Sequence, residues 1–288
     1  MTTVAMPGLP AAARSIRLIA SDLDGTLLVG HEEVTERTAA AIGAAFDAGV
    51  VVVAATGRQF PQLPDPVMAS GIRYVVASNG AIGVDLADQT VLFEDLLAPE
   101  VAADIVAHLT SELEGVRFSA VRDAGARHAA EQGYLDLVDP VERTQWTEII
   151  QPASLSEVVG QPTLKLTVRH PSLTADDLLA VLEASGLNGF HATTSGAPFL
   201  EIQGAGVTKA SGVARLCALL GYEAADVMAA GDARNDVELL AWAGFGVAMG
   251  NAVPEALAAA DWTTTDNDED GLALVIEQVL TVLGKKQP

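Results

Sequence analysis

Short runs of apolar and β-branched residues recur along the chain, and each ends in glycine, threonine, asparagine or aspartate. The clearest cover residues 16–21 (IRLIAS), 50–55 (VVVVAA), 74–78 (YVVAS) and 226–230 (DVMAA). Such runs are typical of parallel strands that are buried on both faces. Amphipathic segments separate them, and this alternation requires crossover connections. The sequence therefore predicts an α/β fold with a Rossmann-like parallel sheet and helices on both faces.

Helix signals occupy the segments between these runs. Thr35 is placed to cap a helix that closes at Gly49, and Thr174 begins another helix with two aspartates in its first turn. Further predicted helices cover residues 99–114, 208–220, 253–260 and 270–283, and one more ends near residue 243.

The middle of the chain has a different character. Its strand-like segments are more polar and alternate with helices, which is typical of a smaller sheet covered by helices on one face. We therefore expect an inserted α/β domain at residues 84–205, between the core segments 15–83 and 206–288. Residues 1–14 are predicted to be a disordered tail, and residues 123–162 show too little periodicity to be assigned.

The charge balance limits the classes of partner. The 288 residues include 38 acidic and 16 basic side chains, giving a net charge of -22, and no segment concentrates lysine and arginine. Nucleic acid is therefore not an expected partner. An anionic ligand would need local positive charge from a metal ion, a lysine or helix N-termini.

A membrane partner is not expected either. No run reaches the roughly 18 apolar residues of a spanning helix, and the N-terminus lacks a signal-peptide pattern. We expect a cytoplasmic protein that is a monomer or a small homo-oligomer. Cys217 is the single cysteine and lies in a helical pattern, which favours a small buried side chain.

Polar residues follow four of the predicted strands. Ligands of open parallel sheets bind beyond the carboxyl ends of the strands. If these strands are neighbours, the polar residues meet at one edge and bring together up to four carboxylates. The four clusters are Asp22, Asp24 and Gly25; Thr56, Gly57 and Arg58; Ser78, Asn79 and Gly80; and Gly231, Asp232, Asn235 and Asp236.

Several carboxylates at one place repel one another. Two unit charges about 4 Å apart cost roughly 4 kcal/mol at an effective dielectric constant near 20. A divalent cation removes this cost, and oxygen ligands favour Mg²⁺. Lys209 begins a helix, where the dipole disfavours a cation, so its position indicates a use. A carboxylate nucleophile, a metal and a lysine are the parts that phosphoryl transfer requires.

Each motif alone also has a simpler interpretation. An isolated DLDGT segment fits a turn with solvated aspartates, and Asn79-Gly80 is an ordinary turn signal. Thr56 alone fits a strand end or a helix cap, and Arg58 fits a surface ion pair. The four motifs in this order favour the functional interpretation.

Together these motifs resemble the haloacid dehalogenase superfamily of phosphatases. The segment DLDGT at residues 22–26, Thr56, Lys209 and the segment GDARND at residues 231–236 match its four motifs in order. The segments SNGA, FLEIQGAGVTKASG and VAMGNA, with a large insertion between the second and third motifs, resemble the Cof-type sugar phosphatases. In that subfamily an α/β cap domain is inserted at this point. Ala233 stands where the family often has asparagine or glycine.

The resemblance implies a role for each motif residue. Asp22 would be the nucleophile, and Asp24 would protonate the leaving oxygen, later activate water and coordinate Mg²⁺ through its backbone carbonyl. Thr56 would donate to the phosphoryl group, Lys209 would hold Asp22 and the phosphate, and Asp232 would complete the metal shell. The predicted metal ligands are thus Asp22, Asp24, Asp232 and Asp236, and the predicted phosphate or substrate contacts are Gly57, Arg58, Asn79, Gly80 and Asn235.

The sequence therefore predicts a Mg²⁺-dependent phosphatase that hydrolyses a small phosphomonoester, with a sugar phosphate as the first choice. A phosphomutase with a similar core and a non-catalytic phospholigand-binding module are the alternatives. Basic residues of the insertion are candidates for substrate contacts, namely Arg122, Arg127, Lys165 and Arg169.

Overall fold

The structure is a computed structural model that describes residues 9, 13, 15–30, 32–139 and 149–284. Its strands are β1 (Leu18–Ser21), β2 (Val51–Ala55), β3 (Tyr74–Ala77), β4 (Ile82–Asp85), β5 (Thr90–Glu94), β6 (Arg117–Arg122), β7 (Arg127–Glu131), β8 (Ile150–Ala153), β9 (Lys165–Arg169), β10 (Phe190–Thr193), β11 (Leu200–Gly204), β12 (Val227–Gly231), β13 (Phe245–Ala248) and β14 (Trp262–Thr263). Its α-helices are α1 (Glu36–Asp47), α2 (Asp65–Ala69), α3 (Pro99–Glu112), α4 (Leu155–Val159), α5 (Ala175–Glu183), α6 (Lys209–Leu220), α7 (Val237–Trp242), α8 (Pro254–Ala259) and α9 (Gly271–Val282).

Eight strands form the larger sheet, in the order β14-β13-β12-β1-β2-β3-β4-β5. The strands from β14 to β3 run parallel to their neighbours, which confirms the predicted parallel sheet. Side chains of β1 alternate between two apolar layers. Ile19 shares one layer with α1 and α9, whereas Leu18 and Ala20 share the other with α6 and α7. Helices therefore cover both faces, as predicted.

The strands β4 and β5 extend one edge of this sheet in antiparallel pairing, which the sequence analysis did not predict. The chain reverses direction directly after β3, where Asn79 and Gly80 have φ angles of 56° and 102°. The predicted start of the insertion, residue 84, falls inside β4 and so inside the larger sheet. We therefore move the boundary of the inserted domain to a point after Glu94.

Six strands form the smaller sheet, in the order β10-β11-β9-β6-β7-β8. Helices α3, α4 and α5 cover one of its faces, where Phe118, Leu166 and Ile202 pack. Residues 123–162, unassigned from the sequence, contribute β7, β8 and α4. Residues 140–148 within that segment lie outside the described part of the chain.

The opposite face of the smaller sheet is polar and meets the larger sheet. On β9, Lys165 and Thr167 point away from the apolar layer that Leu166 and Val168 enter. Lys165 Nζ donates to the carbonyl oxygen of Gly57, which follows β2, at 2.8 Å. We call this surface the polar face, and its buried members include Ser119, Lys165, Thr167, Glu201 and Gln203.

Three further expectations concern single features. Most of the predicted tail lies outside the described residues, but Ala13 is fully buried in the core and Leu9 packs against it. Cys217 is buried in α6, as its pattern indicates. In the described part of the chain, every helix is too short or too polar to span a bilayer.

Candidate active site

The carboxyl ends of β12, β1, β2 and β3 lie side by side at one edge of the larger sheet. We call the residues that follow these strands the acidic edge. Helix α6 approaches the edge with its N-terminus because Gly80 packs closely against it. A side chain at residue 80 would overlap the carbonyl oxygen of Thr208. Gly80, predicted as a substrate contact, thus serves to bring Lys209 to the edge.

Lys209 binds two carboxylates at the acidic edge. Its Nζ lies 2.7 Å from Asp22 Oδ1 and 2.7 Å from Asp236 Oδ1, and the side chain is fully buried. The hydroxyl of Thr208 caps α6 by accepting from the amide of Ser211 at 3.1 Å, which fixes the backbone at Lys209. Burial alone would lower the pKa of Lys209, but the charges of Asp22 and Asp236 outweigh it and raise that pKa. The ammonium group therefore stays charged.

Asp22, Asp232 and Asp236 form a compact acidic cluster. One carboxylate oxygen of each lies within 4.8 Å of the others. Asp232 Oδ1 accepts from Thr26 Oγ1 at 2.8 Å. Asp236 Oδ2 accepts from the amides of Asp232 and Ala233 at 3.1 and 3.0 Å, so both oxygens of Asp236 are engaged. Within the described ranges, Asp22 and Asp232 each keep one carboxylate oxygen without a hydrogen bond.

The charges in this cluster do not balance. Burial, followed by the charge of Asp236, raises the pKa of Asp22 well above its usual range. The same two causes raise the pKa of Asp232 to about 6. Gly25 permits this crowding, because a side chain there would overlap the carboxylate of Asp232. Three carboxylates share one ammonium group, so the cluster favours a further cation.

Asp24 lies next to this cluster but has a different partner. Its carboxylate accepts from Arg58 Nε at 2.8 Å and from Arg58 Nη2 at 2.6 Å, a two-point ion pair. The group of close carboxylates among the described residues does not include Asp24, for which the resemblance implies only a backbone ligand. Arg58, predicted to contact phosphate, is paired with Asp24 in this structure.

Thr56 and two asparagines complete the edge. Thr56 is fully buried, and its hydroxyl accepts from the amide of Arg58 at 3.0 Å. The Asn79 amide donates to the carbonyl of Thr56 at 3.0 Å, and Asn79 Oδ1 accepts from Asn235 Nδ2 at 2.9 Å. A side chain at residue 57 would lie only 2.9 Å from Asn79 Oδ1, so Gly57 permits the close packing.

Of the four basic residues predicted to contact substrate, Lys165 is the one that reaches the acidic edge. Its Nζ donates to Gly57 at 2.8 Å and lies 2.6 Å from Glu201 Oε1, and both side chains are 2% exposed. The other three have partners elsewhere: Arg122 donates to the carbonyl of Val158, Arg127 pairs with Asp123, and Arg169 stacks on the ring of Phe199.

Comparison with known families decides the identity of this chain. The family model described as haloacid dehalogenase-like hydrolase matches residues 19–276. The chain belongs to the haloacid dehalogenase-like hydrolases. The Bacillus subtilis (strain 168) protein YxeH is 30% identical to this hydrolase over 272 residues, which cover 92% of this chain and 98% of YxeH.

Two further relatives support the assignment. The B. subtilis 5-amino-6-(5-phospho-D-ribitylamino)uracil phosphatase YwtE is 29% identical over 293 residues, covering 92% of this hydrolase and 99% of YwtE. The solved structure of the subclass IIB sugar phosphatase BT4131 has a TM-score of 0.76 at 23% identity, covers 93% and 99% of the two chains, and shows the shared fold. The predicted family, fold class and enzyme class are confirmed, and this hydrolase is a phosphoric monoester hydrolase.

Sequence reasoning missed Glu201 in this hydrolase. Glu201 stands between the apolar residues Leu200 and Ile202 of β11, both of which face the helices. The alternation of Leu200, Glu201 and Ile202 is typical of a half-exposed strand with the glutamate toward solvent, so the sequence carries no local signal that Glu201 is buried. The partner Lys165 lies on β9, and the pairing of β9 with β11 is not readable from local pattern.

Proposed function

We propose that this hydrolase releases phosphate from a small phosphomonoester, with Mg²⁺ as cofactor and Asp22 as nucleophile. The observation that carries the proposal is the bridge made by Lys209. One buried ammonium group lies 2.7 Å from both Asp22 and Asp236, beside a third carboxylate on Asp232. This arrangement orients the Asp22 carboxylate in a site whose excess negative charge favours binding of a cation.

The donor set of the acidic cluster fits Mg²⁺. Its ligand atoms are all oxygens, and Mg²⁺ in proteins usually takes one or two carboxylates together with water and substrate phosphate. Asp22 and Asp232 would hold the ion through their free oxygens, with the backbone carbonyl of Asp24. Asp236 would instead position Lys209 and the loop after β12, since both of its oxygens are engaged. Bound Mg²⁺ would neutralise charge on the phosphoryl group and on the attacking carboxylate.

The first step transfers the phosphoryl group to the enzyme. Asp22 Oδ1, the oxygen beside Lys209, attacks phosphorus, and the bond between phosphorus and the leaving oxygen breaks. Lys209 orients the Asp22 carboxylate and favours its ionised form, against the effects of burial and of Asp236. The hydroxyl of Thr56 donates to a phosphoryl oxygen. Asp24 leaves Arg58 and, in its protonated form, gives its proton to the leaving oxygen, which departs as an alcohol.

The second step releases phosphate. The Asp24 carboxylate takes a proton from a water molecule, which attacks phosphorus as the bond to Asp22 breaks. Inorganic phosphate leaves, and Asp22 is a free carboxylate again. Asp24 keeps the proton taken from water for the next leaving group, whereas the two-point pair with Arg58 holds its carboxylate form.

The polar face supports a small, polar substrate such as a sugar phosphate. It covers the acidic edge with buried hydrogen-bonding groups rather than with an apolar wall. YwtE, whose name gives a ribitylamino ester as its substrate, matches this chain over nearly its whole length. Closure of the smaller sheet over the edge would exclude bulk water from the phosphorylated enzyme.

The test is phosphate release from a panel of sugar phosphates, polyol phosphates, nucleotides, flavin mononucleotide and pyridoxal phosphate, with Mg²⁺ or with EDTA. Asp22→Asn is expected to lower release by roughly 10³-fold or more. Asp47→Asn, at an exposed position in α1, is the matched control. No release from any ester, or undiminished release by Asp22→Asn, overturns the proposal. Isomerised sugar phosphate without free phosphate would instead indicate a mutase.

A further inference from the structure

The polar face contains an ion pair with one unused acceptor. Lys165 Nζ lies 2.6 Å from Glu201 Oε1, and both side chains are 2% exposed. Among the residues that the structure describes, no donor reaches Glu201 Oε2, although this oxygen is fully buried. A buried carboxylate oxygen without a donor is costly, because it has lost water and gained nothing in exchange. A donor from a bound molecule would remove this cost.

Gly57 marks the part of the acidic edge that lies nearest to the Glu201 carboxylate. A side chain at residue 57 would come to 3.4 Å from Glu201 Oε1 and 2.9 Å from Asn79 Oδ1. Glu201 therefore meets the acidic edge at the loop that follows β2. The edge adds buried polar atoms of its own, since Asn79 Nδ2 and Asn235 Oδ1 also have no partner in the described residues. Asn79 and Glu201 both approach the position that a side chain at residue 57 would take, and Asn235 binds Asn79, so these three side chains are neighbours, and we call them the polar site.

The charge of this site selects the ligand. A lone carboxylate so close to a phosphoryl site would repel the substrate, but the Lys165 ammonium neutralises it. A neutral pair attracts no second phosphate, whereas the free oxygen of Glu201 accepts a hydrogen bond from an O–H group. The rest of the site offers one amide donor and one amide acceptor, from Asn79 and Asn235, which also suit hydroxyl groups.

We propose that Glu201 accepts a hydrogen bond from a hydroxyl group of the leaving group and thereby determines specificity for hydroxylated esters. Lys165 is its positioning residue, because it holds Glu201 Oε1 and ties the pair to the carbonyl of Gly57. The inference rests on the proposed function, since it describes how the same site selects its leaving group.

The experiment compares kcat/KM for sorbitol 6-phosphate, hexyl phosphate and 6-aminohexyl phosphate. The wild-type enzyme is expected to prefer the polyol ester to the alkyl ester by more than about tenfold. Glu201→Met should lower kcat/KM for sorbitol 6-phosphate by about 10- to 100-fold, mainly through KM, and change hexyl phosphate by less than about threefold. Glu183→Met, at an exposed position in the same domain, is the control and should change neither value.

A second variant separates specificity from folding. Glu201→Met leaves Lys165 buried and unpaired, whereas replacing both members of a buried pair with apolar side chains is often neutral. The double variant Lys165→Met with Glu201→Met is expected to fold, to hydrolyse hexyl phosphate and to lose the preference for the polyol ester.

Several results would overturn the inference while leaving the proposed function intact. These are an unchanged polyol preference in both variants, equal losses on all three esters, or a wild-type preference for 6-aminohexyl phosphate. Absence of phosphate release from every ester by the wild-type enzyme would overturn the proposed function, and this inference with it.

Discussion

The acidic edge and the polar face each contain a buried lysine, but the two lysines stand in different charge environments. Lys209 lies between Asp22 and Asp236, with a third carboxylate close by, whereas Lys165 faces Glu201 alone. The edge therefore has excess negative charge, and the ion pair on the polar face is neutral. The number of carboxylates around each buried lysine therefore sets the net charge that a ligand meets at that place. In our proposals a metal ion and a phosphate bind at the edge, and a hydroxyl group binds at the polar face.

Removal of the lysine at the acidic edge is expected to have the largest effect on activity. Lys209→Met leaves Asp22 and Asp236 buried without their ammonium partner. We expect phosphate release to fall by roughly 10³-fold and the free energy of unfolding to fall by roughly 3 to 5 kcal/mol. Steady-state kinetics and urea unfolding at saturating Mg²⁺ measure the two effects. Activity within tenfold of wild type would contradict the role given to Lys209.

The effect of removing Lys165 on the free energy of unfolding should depend on whether Glu201 is still present. Lys165→Met alone leaves Glu201 buried and unpaired, so we expect the free energy of unfolding to fall by roughly 3 to 5 kcal/mol. The double variant with Glu201→Met should regain most of this loss, because no buried charge remains. Urea unfolding of the four proteins in a double-mutant cycle gives the coupling energy. A coupling below about 0.5 kcal/mol would mean that the two residues act independently.

Magnesium should distinguish the two regions directly. A ligand at about 100 times its Kd stabilises the folded state by about 2.7 kcal/mol. We expect MgCl₂ to raise the Tm of the wild-type enzyme and of Glu201→Gln, and to leave the Tm of Asp232→Asn nearly unchanged. Thermal melts in MgCl₂ and in EDTA test this. An equal Mg²⁺-dependent rise in all three proteins would place the metal away from Asp232.

The smallest expected effect is a pH dependence at the contact between the two sheets. Gln62 Nε2 donates to His128 Nε2 at 3.2 Å, which requires a neutral ring. Burial, followed by the charge of Lys165, lowers the pKa of His128 from 6.5 to about 3. Below pH 6.5 the unfolded chain therefore binds a proton that the folded chain does not bind. The contribution of neutral His128 to the free energy of unfolding is complete above pH 6.5 and decreases as the pH falls.

Between pH 7 and pH 5, the free energy of unfolding of the wild-type protein should fall by roughly 2 kcal/mol more than that of His128→Gln. Glutamine does not titrate, and it keeps a polar group beside Gln62. Urea unfolding of both proteins at pH 7 and pH 5, in EDTA, measures the difference. The acidic edge should show the opposite sign, because the pKa of Asp232 is raised to about 6 and its stabilising protonated form is lost as the pH rises. Identical pH profiles for wild type and His128→Gln would show that the ring is already protonated in the folded state.

The acidic edge was largely predictable because its information is local. Each of the four runs that form β12, β1, β2 and β3 is apolar enough to be buried on both faces, and parallel strands place their carboxyl ends together. Asp22 and Asp232 follow β1 and β12, which pair directly, so they lie near each other. The direct pairing of Asp24 with Arg58 was not predicted, since side-chain orientation depends on the surrounding fold.

The polar face was less predictable because its contacts are distant in sequence. The predicted boundary at residue 84 assigned the end of β4 and all of β5 to the insertion, although both strands belong to the larger sheet, and the exposed side chains of β5 resemble those of the insertion's strands. The turn at Asn79-Gly80 was recognised, but not that it reverses the chain into an antiparallel pair. Glu201 and Lys165 lie on strands joined by a long connection, and only the assembled sheet makes them neighbours.

The hydrogen bond from Lys165 to Gly57 has a consequence for protein engineering. The acceptor is a main-chain oxygen, which every residue type supplies. The loop after β2 therefore offers the same acceptor to any inserted domain that places an ammonium group there. Inserted domains from related proteins could be exchanged on the larger sheet if they carry one lysine at the strand position of Lys165. The loops that perform the chemistry would then need no redesign.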